Sequence, residues 1–460
     1  MPPLPVSSPV KSSVRSSARD VLDPAHLRAA LRVNPADATV AAALRCGAAV
    51  ALALAACAAL GRPDLAGFAA LGALTSLYGR YEPYRRRAAL VAGAAVFLVG
   101  SFVITAALTT AGAPLPLTLV VVALIASAAT VACLLVRTGP PGATIVVFTA
   151  AGGLAAPPVW GTVAAQALAC AAGAALAWAV AMSGYLARPS GPARLAVRRA
   201  ADAVRRAVAP GAPEAAVPAA RAAVARAEAV LADDLSHRRT RDTARVLAAD
   251  LAQIAARLDP PAGAGTDTGA EPGPGTAATA GPAAALAPRE RLRDTARATW
   301  HAQPWRLASA RVAISSLVAG AVALVAGLGH PAWAQMGATA TLQGSTTHHA
   351  VVRALQRAGG TALGALLAWP LLAAHLSFAA TCVLVVALQV VTEIVVGRHY
   401  GLAMLTITPM ALLMTSLGGA ADPAGMAASR ALDTVLGAAL GVLAVVLVHP
   451  RRRPAAPAAA

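Results

Sequence analysis

The stretch RRRAALVAGAAVFLVGSFVITAALTT, Arg85 to Thr110, decides how the rest of the chain is read. Three arginines are followed by an uncharged run from Ala88 to Thr110. A bilayer core about 30 Å thick takes about 17 to 25 apolar residues as one helix, because lipid offers backbone N–H and C=O groups no partner and a helix satisfies them internally. Arginines collect at the cytoplasmic ends of spans. The stretch therefore predicts a membrane helix that begins inside.

Composition extends this reading to the whole chain. Its 460 residues are 58% hydrophobic and 13% charged, with a mean hydropathy of +0.64, which is more apolar surface than a soluble fold of ordinary proportions buries. The net charge of +18 could suggest nucleic acid. However, base-stacking aromatics are scarce and the arginines punctuate the gaps between apolar runs, which is the pattern of topology determinants, so no nucleic-acid partner is expected. Cys46, Cys57, Cys133, Cys170 and Cys382 all lie in apolar runs without CxxC spacing, and read as reduced packing residues rather than metal ligands. The basic N-terminal segment (Lys11, Arg15, Arg19, Arg28, Arg32) is too long for a signal peptide, so the first span should act as the membrane signal.

Cut at span length, residues 40–187 give Val40 to Leu60, Leu65 to Tyr78, Ala88 to Thr110, Leu115 to Val136, Ala143 to Ala156 and Val159 to Leu186. Residues 306–449 give Leu307 to Leu328, Ala332 to Leu342, Val351 to Ala374, Ala379 to Val396, Leu402 to Leu417 and Met426 to Val448. The second and fifth pieces of each block are short, as if broken or half-buried in protein. Arginine-bearing gaps (Arg45; Arg80 and Arg85 to Arg87; Arg137; Arg188 onward; Arg306 and Arg311; Arg353 and Arg357; Arg398; Arg451 to Arg453) alternate with nearly bare ones. Both termini and the middle of the chain are then expected on the cytoplasmic side of the cell membrane. The blocks also echo each other: Arg45 with Gly61, Arg62, Pro63 matches Arg311 with Gly329, His330, Pro331, and Arg137 with Gly142, Ala143, Thr144 matches Arg398 with Gly401, Leu402, Ala403. The expected fold is an all-α membrane protein of two six-helix halves, related as a parallel repeat, flanking a helical cytoplasmic domain at residues 188–305.

Within that domain, Arg194 to Val208 and Pro218 to Leu258 carry helical spacing, with Leu231, Leu235, Val246, Leu247, Leu251 and Ile254 available to pack. Residues 259–288 are Gly, Pro, Ala and Thr with almost no apolar bulk, which predicts a disordered linker. A short helix from Arg289 to His301 should lead back to the membrane, and residues 1–39 and 450–460 read as cytoplasmic segments.

The second block carries His330, Pro331, Ala332, Trp333, then Gln343 to Thr346, then Arg353, Ala354, Arg357, Gly360, Thr361 and Gly364. Its last span adds Arg430, Ala431, Leu432, Asp433, Thr434 and Gly437. This run resembles the FUSC family, named after fusaric acid resistance, with its Pro-x-Trp turn, its Arg-x-x-Gly-Thr-x-x-Gly helix and its Arg-x-x-Asp-Thr-x-x-Gly signature. The first block departs from the pattern, with Gln166 in its sixth span and no Arg-Asp pair there. The resemblance implies export or permeation of small organic anions, as with aromatic acid exporters and, more distantly, plant malate channels. It makes Pro331, Trp333, Gly360, Thr361, Gly364 and Gly437 structural members of the motif.

Six residues are candidates for a transport pathway. Arg430 and Asp433 share one helix face three residues apart, and inside a span must either pair or face a cavity. Arg353 and Arg357, i and i+4, are explained by topology or by attraction of an anion. Glu393 reads as a salt-bridge partner of Arg398 or as a proton-titrating group, and Pro409 as a kink or as the break of a helix that lines a site. Adjacent His348 and His349 point to different faces and read as solvated. Gly360, Gly364 and Ala368 form a small-residue packing face, and a second copy of the chain is among the partners considered, beside membrane lipid.

No Walker sequence, Gly-x-Ser-x-Gly elbow or metal-ligand cluster occurs, so neither an enzyme nor a cofactor is expected and active transport would run on an ion gradient. The leading expectation is a FUSC-type exporter of small aromatic anions driven by protons. A passive anion channel and a non-transporting membrane scaffold are the alternatives. A major-facilitator protein is disfavoured, because Gly79, Arg80, Tyr81, Glu82, Pro83 is not the loop that fold carries after its second span.

Overall fold

Helix starts are marked by residues that satisfy the orphan N–H groups of a first turn. The computed structural model describes residues 23–33, 40–156, 158–258, 289–343, 346–417 and 422–447, and among these all regular structure is helical. The order is α1 Pro24–Leu31, α2 Val40–Ala59, α3 Ala66–Ala73, α4 Tyr84–Thr110, α5 Leu115–Leu135, α6 Thr144–Leu154, α7 Trp160–Ala187, α8 Gly191–Ala207, α9 Ala216–Leu235, α10 Arg241–Ala256 and α11 Leu292–Ala302. It continues through α12 Pro304–Val325, α13 Pro331–Thr341, α14 Thr347–Ala373, α15 Phe378–Val395, α16 Tyr400–Ser416 and α17 Pro423–Leu447. Thr346 caps α14 by accepting the His349 N–H, Ser377 caps α15, and Asp422 takes the Gly425 N–H ahead of Pro423 in α17. The turns that follow α2, α4 and α12 are made by Gly61, Gly112 and Gly327, each at a positive φ that an L side chain resists.

Seven helices are long and apolar enough to cross a membrane: α2, α4, α5, α7, α12, α15 and α17. The remaining pieces of the expected twelve are α3, α6, α13, α14 and α16. With 8, 11 and 11 residues, α3, α6 and α13 rise only about 12 to 17 Å, half of a bilayer core. Every residue of α3 and of α13 is buried, so these are interior half-helices covered by protein. At 27 residues α14 is long enough, but His348, His349, Arg353 and Arg357 crowd its first half. Helix α4 begins at Tyr84 rather than Ala88, so that Arg85 to Arg87 form its first turn. The chain is a multi-pass membrane protein.

The chain divides into two compact units. The first holds the described residues within 1–78, 90–180 and 296–460. Small residues set its crossings. A Cβ on Gly437 of α17 would collide with the Ala334 carbonyl of α13, and one on Gly173 of α7 would collide with the Ala69 carbonyl of α3. Without side chains there the helices approach to backbone contact.

The second unit, residues 79–89 and 181–295, contains α8, α9 and α10. Ala193, Val197, Ala200 and Val204 of α8 pack on Ala220, Val224, Ala227 and Leu231 of α9, with Ala244 and Leu251 of α10 closing the core. The stretch 218–258, expected as one helix, is two. Ser236 and Thr240 donate to the Asp233 and Asp234 carbonyls at 2.6 Å each, supplying at the bend the partners that a continuing helix would have supplied. The predicted helix near 289–301 is present as α11. The linker expected at 259–288 lies outside the described residues, as do residues 1–22 and 448–460.

Candidate functional site

The site grows from two helix crossings in the second block. A Cβ on Gly360 would strike the Gly401 carbonyl, and one on Gly364 would lie 2.8 Å from the Met404 carbonyl, so α14 and α16 run in backbone contact. That contact places Arg357, one turn before Gly360, beside Tyr400 in the first turn of α16. The Gly437 crossing holds α17 against α13, and two turns before it Arg430 lies over the ring of Trp333, 5.1 Å from its centroid. Helix α14 packs on both α16 and α17, which joins the two groups.

The result is a ladder of three arginines between α13, α14, α16 and α17. Arg353 donates from Nε to the Ala340 carbonyl at 2.8 Å, closing an open carbonyl at the C-terminal end of α13, and reaches Gln343 Oε1 at 3.2 Å. Its guanidinium also covers the Tyr400 ring at 4.2 Å. Arg357, 2% exposed, donates from Nη1 to the Tyr400 hydroxyl at 2.7 Å, while its Nε has no acceptor. Arg430, 2% exposed, has no acceptor for Nε or Nη1, and both Arg357 and Tyr400 lie within its electrostatic reach. Among the described residues neither Arg357 nor Arg430 makes an ion pair. By helix rise Arg357 lies about 15 Å from the start of α14 and Arg430 about 10 Å from the start of α17.

Arg430 and Asp433, expected either to pair or to face a cavity, have different partners. They share a face but make no ion pair. Arg430 turns to Trp333, whose π face attracts a desolvated cation by about 2 kcal/mol. Asp433 accepts from Ser429 Oγ at 3.3 Å through Oδ2, and its buried Oδ1 has no partner. Ser429 is also 3.1 Å from His330 Nδ1, and because its single hydroxyl hydrogen points to Asp433, Nδ1 must be the donor in that contact. His330 also stacks on the motif tryptophan, with centroids 4.0 Å apart. A hydrogen-bonded chain thus runs from His330 through Ser429 to Asp433.

Other candidates lie elsewhere. Glu393 is buried on α15 with Gln389 and Thr392, on a helix that packs against α2 and α16. Pro409 is buried in α16, whose helical assignment continues on both sides of it. His348 is exposed and lies against His26 of α1 at 4.7 Å. Pro331 is the first residue of α13, and Thr361 is fully buried. Tyr400, Ser429 and His330 emerge as site members only in three dimensions; the proximity of Tyr400 to Arg398 and Gly401 in the matching gap was the one available signal. The first block supports the site from outside: Gln335 donates to the Leu119 carbonyl at 2.8 Å, and Gln343 donates to the Pro141 carbonyl at 2.8 Å and to Thr144 Oγ1 at 2.6 Å.

Residues 317–444, which contain every rung of this ladder, match the family model described as fusaric acid resistance protein-like. The chain is also 31% identical over 130 residues to the uncharacterized membrane protein YvaC of Bacillus subtilis, a match that covers 28% of this chain and 21% of that protein. The chain thus spans about a fifth of that relative's length. No solved structure matches.

Proposed function

We propose that the protein is a membrane transporter that exports small organic anions, aromatic carboxylates among them, along the ladder of Arg353, Arg357 and Arg430. One observation carries the reading: two guanidinium groups are buried without ion-pair partners among the described residues and with N–H donors unused. A buried unpaired charge costs several kcal/mol, and a protein that only needed rigidity would do as well with apolar residues. A carboxylate entering the ladder supplies the missing charge and accepts the idle donors.

In this reading Asp433, reached from His330 through Ser429, is the group that takes up the coupling proton. The two blocks are halves of a parallel repeat, which the recurring order of long and short helices and the matched Gly173 and Gly437 crossings support. The arginine pattern favours termini and middle domain in the cytoplasm. The decisive experiment is uptake of labelled benzoate and other anions by proteoliposomes, with and without a pH gradient. Uptake by wild type and its loss in Arg430→Gln is the expected result. Failure to move any anion of a broad panel sinks the proposal, and uptake indifferent to the pH gradient makes the protein a passive channel.

A further inference from the structure

Tyr400 stands where an anion would be expected. Arg357 is buried without an ion-pair partner among the described residues, and its Nη1 donates a 2.7 Å hydrogen bond, an ordinary length for a guanidinium donor, to the Tyr400 phenol oxygen. The same ring carries Arg353 on its face at 4.2 Å. One tyrosine thus occupies two of the three arginines, and Arg430, the third, keeps two idle donors. A phenol oxygen is a poor counter-ion for guanidinium, since it offers one neutral acceptor where a carboxylate offers two charged ones in the matching fork geometry. Tyr400 as a residue is only half-buried, and its backbone is anchored by His399, whose Nδ1 accepts the Leu402 N–H at 3.0 Å.

We propose that Tyr400 is a resident stand-in for the transported carboxylate. Its hydroxyl occupies Arg357 in the empty protein, keeps that charge from being wholly uncompensated, and is displaced when a carboxylate bridges Arg357 and Arg430. The inference rests on the reading of the ladder as an anion site. It makes binding a competition: the apparent affinity is lowered in proportion to the fraction of protein in which Tyr400 holds the arginine.

Removing the hydroxyl while keeping the ring under Arg353 should remove the competitor. For purified full-length protein in lipid nanodiscs, Tyr400→Phe is expected to bind benzoate about tenfold more tightly than wild type, the factor that follows when the tyrosine-held form outnumbers the open form by about ten to one. It should also melt at a lower temperature when empty, and recover with benzoate. Unchanged or weaker binding overturns the inference and leaves the anion reading intact; absence of benzoate binding to wild type overturns both. A measurement on the unsubstituted site guards against a variant that fails to fold. With 3-fluorotyrosine at position 400 alone, saturating benzoate should move the fluorine resonance, and an unmoved resonance in protein that binds benzoate overturns the inference.

Discussion

Arg430 illustrates how one side chain can be structurally costly and still be kept. Its guanidinium is enclosed, has a tryptophan face for company, and leaves two donors unused. If it served packing alone, replacing it with a long apolar side chain would leave transport unchanged. If it serves an anion, Arg430→Met should raise the thermal midpoint of the purified protein, because an uncompensated buried charge disappears, while benzoate transport efficiency falls about ten- to hundredfold, the worth of one or two hydrogen bonds to a charged group. A lower midpoint together with normal transport would refute the assignment. Asp433→Asn tests the neighbouring group separately. Transport in the variant should continue down an anion gradient but no longer respond to a pH gradient, and a response equal to wild type would remove Asp433 from the coupling route.

Helix crossings, rather than helix propensity, set the geometry one level up. Gly437 and Gly360 are packed so that a single methyl group meets a carbonyl of the facing helix. Gly437→Ala should therefore destabilise the protein by about 1 to 3 kcal/mol through overpacking, and displace Arg430 with it. Gly359, adjacent to Gly360 in sequence, has open space where its Cβ would be. Gly359→Ala should be neutral or stabilising by up to about 1 kcal/mol, since alanine is the better helix former. Thermal unfolding of the pair in detergent checks both, and equal effects would show that the crossing is not the constraint. The short helices follow the same logic. Sequence hydropathy marked Ala332 to Leu342 as an undersized span, and the all-round burial of α13 explains why it need not be longer. What hydropathy did not separate was a short span from an interior half-helix, because both are simply apolar.

For the molecule as a whole, the second compact unit carries its own titrating group. Burial, followed by the adjacent Asp233, raises the Asp234 carboxyl to about 7, and Asp234 Oδ2 has no partner. Burial also pushes Asp233 up, against the opposing pull of Arg289, 2.5 Å away, and of Arg85, Arg86 and His237. A folded-state value above the unfolded one, about 3.9, means that the protonated acid stabilises the unit fully below about pH 4 and that this contribution is lost as pH rises towards 7. Amide exchange at the C-terminal end of α9 should accordingly quicken between pH 5 and pH 8, after correction for intrinsic rates, and Asp234→Asn should abolish the change. The same unit bears on the scaffold alternative. Transport retained after residues 188–305 are replaced by a flexible linker would count against it.

Membrane residence, helical class, helix turns and the motif of the second block were all legible in the sequence, because each depends on residues close along the chain: apolar run length, arginine flanks, a cap, a glycine. The tertiary structure alone decided the company those residues keep. It turned Arg430 and Asp433, three residues apart, to different partners, and it brought Tyr400 to Arg357 across 43 positions. Side-chain pairing inside a membrane protein is settled by where helices cross, and a crossing is a property of two faces that no single stretch of sequence contains.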